Sequence, residues 1–105
     1  MKIRIQHDLW EVLFFEEEKF VRRFGEEIGA CTLTEDRKLC FHDGDFTKEF
    51  IIHELAHAYY SYLCLGSTTL TNDQLEEVWC DLIARFGPTM IRQANSIYKE
   101  FKDEV

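Results

Sequence analysis

The stretch from Thr47 to Leu65 constrains the fold more than any other part of the chain, because it is apolar on nearly every face of a helix. Its apolar residues include Phe50, Ile51, Ile52, Leu55, Ala56, Tyr59 and Leu63. A helix that is hydrophobic all round has to be buried inside a domain. The rest of the chain must therefore supply elements that pack around this helix on more than one side.

The residues before this helix predict a strand, a helix and a hairpin. KIRIQ, residues 2–6, alternates weakly and predicts a first strand. From Asp8, a possible helix cap, apolar residues recur at helical spacing as far as Ile28, so a helix that stops near Gly25 or Gly29 is expected. Two β-prone runs, at residues 30–34 and 38–42, flank the sequence EDR and predict a hairpin, and DGD at residues 43–45 ends its second strand.

Two more helices are predicted after the central one. Thr71 and Gln74 have the spacing of a capping box, and an apolar stripe follows from Leu75 to Phe86. Gly87-Pro88 is expected to end that helix and to start another, whose apolar residues are Met90, Ala94, Ile97 and Phe101. The resulting order, β-α-β-β-α-α-α, predicts an α+β domain with its helices on one side of a small antiparallel or mixed sheet.

Length and charge limit the classes of function. At 105 residues and 46% hydrophobic content, the chain is long enough for one modest core, so a single domain over residues 1–105 is expected. The net charge of -8 repels phosphate backbones and anionic lipid headgroups, which argues against nucleic-acid and membrane partners. We see no signal peptide and no apolar run that approaches the ~18 residues of a membrane span, so a cytoplasmic protein is expected.

The four cysteines, Cys31, Cys40, Cys64 and Cys80, form no CxxC pair. In an intracellular setting they are expected to be free thiols that serve as small buried hydrophobic residues. A two-residue turn at Asp36-Arg37 would place Cys31 opposite His42, so a disulfide within the hairpin would need a different register.

His53, Glu54 and His57 lie in the central helix, within the sequence IIHELAHAYY. Two histidines four residues apart share one helix face, about 6 Å apart, and can converge on one metal ion. Glu54 lies one step around the helix, where a general base for a zinc-activated water is needed. The spacing thus predicts a zinc site in which His53 and His57 are ligands and Glu54 is catalytic.

Catalytic zinc commonly has a third protein ligand, and no histidine follows His57. Glu77 and Asp81 are four residues apart on the next predicted helix, and the 20-residue gap from His57 to Glu77 is long enough for a loop and a returning helix. With HExxH on one helix and ExxxD on the next, residues from Phe50 to about Phe86 resemble the gluzincins. The hairpin before the metal helix also resembles small single-domain gluzincins and ImmA/IrrE-like peptidases, which phages and other mobile elements frequently carry.

The resemblance implies a zincin-like domain in which a short sheet packs on the HExxH helix, a glutamate helix and a C-terminal helix. It also implies one Zn²⁺ per chain, Glu77 as the third ligand, Asp81 as the hydrogen-bond partner of His53, and hydrolysis of a peptide or protein substrate. The chain ends soon after the glutamate helix, whereas large gluzincins have a further domain that supplies a catalytic His or Tyr. A less efficient peptidase is therefore expected.

Several alternatives stay open at the level of sequence. Glu76 is the rival third ligand, and the acids of this helix could instead form a solvated surface. His42 ends a strand expected at the sheet edge, where it could contact a substrate. Tyr60, the tyrosine nearest in phase to the histidines, could also contact the substrate and help to stabilise an oxyanion. The domain could also be a zinc-bearing binding or regulatory module that cleaves nothing, or an acidic interaction protein in which the HExxH match is accidental.

Overall fold

The computed structural model describes residues 1–26, 29–63 and 70–102. Its elements in chain order are β1 (Lys2–Ile5), β2 (Asp8–Phe15), α1 (Glu17–Phe24), β3 (Ala30–Leu33), β4 (Lys38–His42), a 3-10 turn (Asp43–Asp45), α2 (Lys48–Leu63) and α3 (Asn72–Lys102). The predicted α+β class is confirmed. None of the helices in the described part of the chain combines the length and the apolar content that crossing a bilayer requires.

The four strands form one mixed sheet in the order β1-β2-β4-β3. β1 and β2 are antiparallel, β2 and β4 are parallel, and β3 and β4 are antiparallel. β4, which was expected at the edge, is therefore an internal strand, because β2 pairs with its other side. The edge strand beside α2 is β3.

The two faces of the sheet pack against different helices, because successive side chains of a strand point to opposite faces. On one face Leu39 and Phe41 join the core that α2 and α3 complete. On the other face His42 contacts Phe20 of α1, with the two ring centroids 4.6 Å apart. The expectation that all helices lie on one side of the sheet is therefore wrong, since α1 covers the opposite face.

The predicted helix from Asp8 to Ile28 is wrong over its first half, which forms β2. Apolar residues of this segment fit a helical spacing, but Trp10, Val12 and Phe14 also alternate, and all three lie on the core face of the sheet. Pairing with β1 on one side and β4 on the other outweighs the helical preference that the spacing of the apolar residues suggested. The helical part, α1, is only eight residues long and ends, as predicted, at Gly25, whose φ is 99°.

α3 continues through Gly87-Pro88, where two helices were expected. A proline inside a helix costs about 3 kcal/mol, because its ring crowds the carbonyl four residues earlier and one hydrogen bond is lost. Ala84 and Pro88 are both exposed, so water can reach the carbonyl of Ala84. Beyond the proline, four buried side chains, Met90, Ala94, Ile97 and Phe101, anchor the helix to the core. Burial of a large apolar side chain contributes roughly 1.5–3 kcal/mol, so together they outweigh the proline.

The hairpin has a four-residue turn at residues 34–37, and its register places Cys31 directly opposite Cys40. The two-residue turn at Asp36-Arg37 is therefore wrong. Both thiols are nevertheless free, and burial, followed by the neighbouring Cys31, raises the pKa of Cys40 to about 11. Cys40 is buried as expected, Cys31 is half-buried and Cys80 is exposed, while Cys64 lies outside the described residues.

The start of α1 is capped from a distant part of the chain. The backbone N–H of Glu17 donates to Asp43 Oδ1 at 2.9 Å, and Glu16 at the N-cap position makes no side-chain cap. We expect Asp43→Ala to lower the free energy of unfolding by about 1 kcal/mol in urea titrations, because a helix N–H loses its acceptor. Asp36→Ala, which removes the same charge from the exposed hairpin turn, should change stability by less than about 0.5 kcal/mol. Equal losses in the two variants would show that Asp43 does not act as a cap.

Candidate metal centre

The two histidines of the motif lie side by side on the exposed face of α2. The Nε2 atoms of His53 and His57 are 3.2 Å apart, and the two rings are tilted by 76°. Two nitrogens that bind one tetrahedral zinc ion at about 2.0–2.1 Å lie about 3.3 Å from each other. The pair is therefore spaced as a shared zinc ion requires, and in the metal-free protein the same distance suits an N–H···N hydrogen bond.

Glu54 completes a compact group with the two histidines. The potential ligand atoms of His53, Glu54 and His57 all lie within 4.8 Å of one another. Glu54 is only 7% exposed, and its Oε2 lies 3.8 Å from His53 Nε2. Imidazole nitrogens and a carboxylate oxygen are the donors that zinc accepts in proteins, so the chemistry of this group fits the ion.

Thr32 of the edge strand holds the carboxylate of Glu54. The hydroxyl Oγ1 of Thr32 lies 2.8 Å from Oε1 of Glu54 and 3.1 Å from the backbone carbonyl oxygen of the same residue. Thr32 lies on the sheet face that packs against α2, because it is opposite the core residue Leu39 in the strand register. Sequence reasoning missed Thr32, because nothing in the sequence of this short strand indicates which of its residues will face Glu54.

The group opens into a cleft between β3 and α2. The cleft has a volume of about 460 Å³ and includes Cys31 and Thr34 on the side of the hairpin and Tyr60 and Ser61 on the side of the helix. Burial, followed by the nearby charge of Glu54, raises the pKa of the Cys31 thiol. The Cys31 thiol therefore stays protonated at neutral pH, which limits its use as a nucleophile.

Hydrogen bonds from two other tyrosines tie α2 to the rest of the domain. Tyr62 accepts a hydrogen bond from Trp10 Nε1 at 2.9 Å and donates one to Asp8 at 2.7 Å, both in β2. On the side of α3, the hydroxyl of Tyr59 donates to Gln93 at 2.9 Å. Together with the contact of Glu54 to Thr32, these bonds connect α2 to three separate elements.

The structure does not bring Glu77 and Asp81 to the histidines. Within the described residues the group of possible ligands is His53, Glu54 and His57, and Glu77 and Asp81 are both exposed. Asp81 lies instead 3.8 Å from Arg85, one turn further along α3. The roles of Glu77 as third ligand and of Asp81 as partner of His53 therefore stay predictions.

The two suggested substrate contacts have different positions. Tyr60 lines the cleft, and its ring stacks on Trp79 of α3 at 4.9 Å with an interplanar angle of 17°. His42 is buried, and its Nδ1 accepts a hydrogen bond from the N–H of Gly44 at 3.0 Å. It faces α1 on the sheet face away from α2, so its place in the structure is that of a core residue.

Comparisons with protein-family models, with curated proteins and with solved structures give no match.

Proposed function

We propose that the protein is a zinc-dependent peptidase in which His53 and His57 bind the ion and Glu54 is the general base. The spacing of the histidine pair carries this proposal. Their Nε2 atoms are 3.2 Å apart, close to the separation that a shared tetrahedral ion requires. The carboxylate beside them has one oxygen directed toward His53 and lies at the wall of an open cleft.

Zinc held by these histidines would act as a Lewis acid on the scissile carbonyl and would make water a better nucleophile. Glu54 supplies the proton transfers. It accepts a proton from the attacking water and delivers it to the leaving amine, and its near-complete burial keeps the carboxylate in one orientation for both transfers. A structural zinc site has all its coordination positions filled by the protein and does not use a general base. The presence of Glu54 beside the histidines therefore favours a catalytic ion over a purely structural one.

The edge strand favours an extended peptide as the substrate. Among residues 1–26, 29–63 and 70–102, β3 pairs with β4 on one side only, and it lines the cleft together with the histidines. The free edge of a strand can hydrogen-bond the backbone of an extended peptide and leaves its side chains to neighbouring pockets. A peptide bound along β3 would pass beside Glu54. This assigns to β3 the substrate-pairing role that the sequence suggested for β4.

A zinc-bearing binding module without catalysis is the second candidate, and one observation favours it. Within the described residues, the carboxylate closest to the histidines is Glu54 itself, and neither acid of the glutamate motif joins the group. If Glu54 were the third ligand, the site would have no general base. The two candidates therefore differ in what Glu54 does.

Zinc content tests the proposal and the ligand set together. We expect native mass spectrometry of protein purified without added metal to find one zinc per chain. Loss of a true third ligand in Glu77→Ala should weaken zinc binding at least about tenfold, because zinc affinity depends on each group that holds the ion. Glu76→Ala removes the same charge from the adjacent position of α3, and because Glu76 is the rival ligand, weakening by this substitution alone would assign the third ligand to Glu76.

Three results would contradict these expectations. No zinc in the wild-type protein, even after reconstitution, would remove the metal site and the peptidase with it. Equal weakening of zinc binding by both substitutions would mean that the negative charge of α3 affects the affinity and that neither glutamate is a ligand. Unchanged binding in Glu77→Ala would exclude Glu77 as a ligand and would leave the histidine pair as the site.

A further inference from the structure

We propose that Thr32 is a positioning residue that keeps Glu54 from binding the metal and thereby reserves its carboxylate for proton transfer. This inference rests on the proposed zinc site and deepens it. It concerns the choice between the two roles open to Glu54, ligand or base. Thr32 belongs to β3 and Glu54 to α2, so the choice is made by contact between two elements.

The geometry separates the two oxygens of Glu54. Oε1 lies 2.8 Å from the Thr32 hydroxyl, which can donate only one proton and shares it between this oxygen and the backbone carbonyl at 3.1 Å. Oε2 is directed toward the histidines, 3.8 Å from His53 Nε2. One oxygen is therefore anchored to the sheet edge, and the other faces the place where proton transfer is needed.

Without this anchor the carboxylate could bind the ion. Its oxygen already lies within 4.8 Å of the ligand atoms of both histidines, so a change of side-chain rotamer is enough to bring it onto a shared ion. A hydrogen bond to a carboxylate is worth roughly twice as much as one between neutral groups, so the Thr32 hydroxyl opposes that change. Loss of the hydroxyl should therefore turn a base into a ligand.

A double-mutant cycle on zinc affinity tests this role. Competition with a chromophoric chelator would give the affinity of the wild-type protein, Thr32→Val, Glu54→Gln and the double variant. We expect Thr32→Val to tighten zinc binding about tenfold, which corresponds to the loss of one charge-assisted hydrogen bond. In the Glu54→Gln background the same substitution should have no effect, because no carboxylate is left to move.

Two further variants are controls. Thr32→Ser keeps the hydroxyl and should restore wild-type affinity. Thr34→Val removes a hydroxyl from the same cleft but not from Glu54, so it should leave the affinity unchanged. If Thr32→Val does not fold, as judged by circular dichroism, Thr32→Ala removes the same hydroxyl and takes its place in the cycle.

The outcomes separate this inference from the proposed function. If the wild-type protein binds zinc but Thr32→Val changes the zinc affinity equally in the wild-type and the Glu54→Gln backgrounds, the role of Thr32 is overturned and the zinc site stands. The same holds if Thr32→Val changes the affinity in neither background. Absence of zinc from every variant overturns the proposed function and this role with it. A second readout, peptide hydrolysis, should show a lower kcat with an unchanged KM in Thr32→Val, since binding along β3 does not use the hydroxyl of Thr32.

Discussion

Glu54→Gln should lower kcat for peptide hydrolysis by about 10²–10⁴-fold while one zinc per chain is retained. Glutamine keeps the size of the side chain and can still accept a hydrogen bond from Thr32, but it cannot take a proton from water. The substitution therefore separates catalysis from metal binding. Catalysis is measured by cleavage of a mixed peptide library followed by mass spectrometry. Metal binding is measured by native mass spectrometry.

Glu49→Gln is the matched control, since it removes one negative charge from an exposed position in the first turn of the same helix. It should leave both hydrolysis and zinc content unchanged. Hydrolysis that survives in Glu54→Gln would contradict the assigned base. Loss of zinc in that variant would show that Glu54 is a ligand, which is the arrangement expected of the binding module.

His57→Ala should abolish zinc binding with little effect on the stability of the metal-free protein. The side chain of His57 is exposed, and its polar contact within the described part of the chain is with His53, so its removal leaves no buried group unpaired. One remaining imidazole cannot hold the ion with comparable affinity, because zinc sites in proteins depend on several ligands acting together. Isothermal titration with zinc and a urea titration of the metal-free protein measure the two effects.

His42→Ala should show the opposite behaviour. His42 is 4% exposed and packs against Phe20, so its loss leaves a cavity and a Gly44 N–H without its acceptor. We expect a loss of about 2–4 kcal/mol in the free energy of unfolding, with zinc stoichiometry unchanged in the folded fraction. If His42→Ala lost zinc and His57→Ala kept it, the assignment of the two histidines would be reversed.

The central part of the site could be predicted because it depends on one helix. The spacing of His53 and His57 in the sequence determines that they share a face, and neither partner elements nor register can change this. The capping box was equally local, and the structure contains both of its hydrogen bonds, between Thr71 and Gln74 in each direction. Signals contained within one or two turns of helix are therefore the ones that sequence reasoning recovers.

The elements that failed depend on distant partners. β2 was mistaken for a helix because its strand character comes from pairing with β1 and β4, which its own residues do not reveal. The edge of the sheet was misassigned for the same reason, since β4 becomes internal only through its parallel pairing with β2. Thr32 was missed because a threonine in a short strand has no signature until α2 lies beside it.

The hydrogen bonds of α2 have a consequence for the angle at which this helix is rotated about its own axis. Apolar residues extend over most of the circumference of α2, so several rotation angles bury similar apolar area and burial alone selects the angle only weakly. The bonds from Glu54, Tyr59 and Tyr62 leave the helix in different directions, to β3, α3 and β2, and a rotation that preserved one of them would break another. The direction in which the two imidazoles point is thus determined by polar contacts spread around the circumference of α2. Substitutions of distant residues such as Asp8 or Gln93 should therefore change the orientation of the two imidazoles without contacting them.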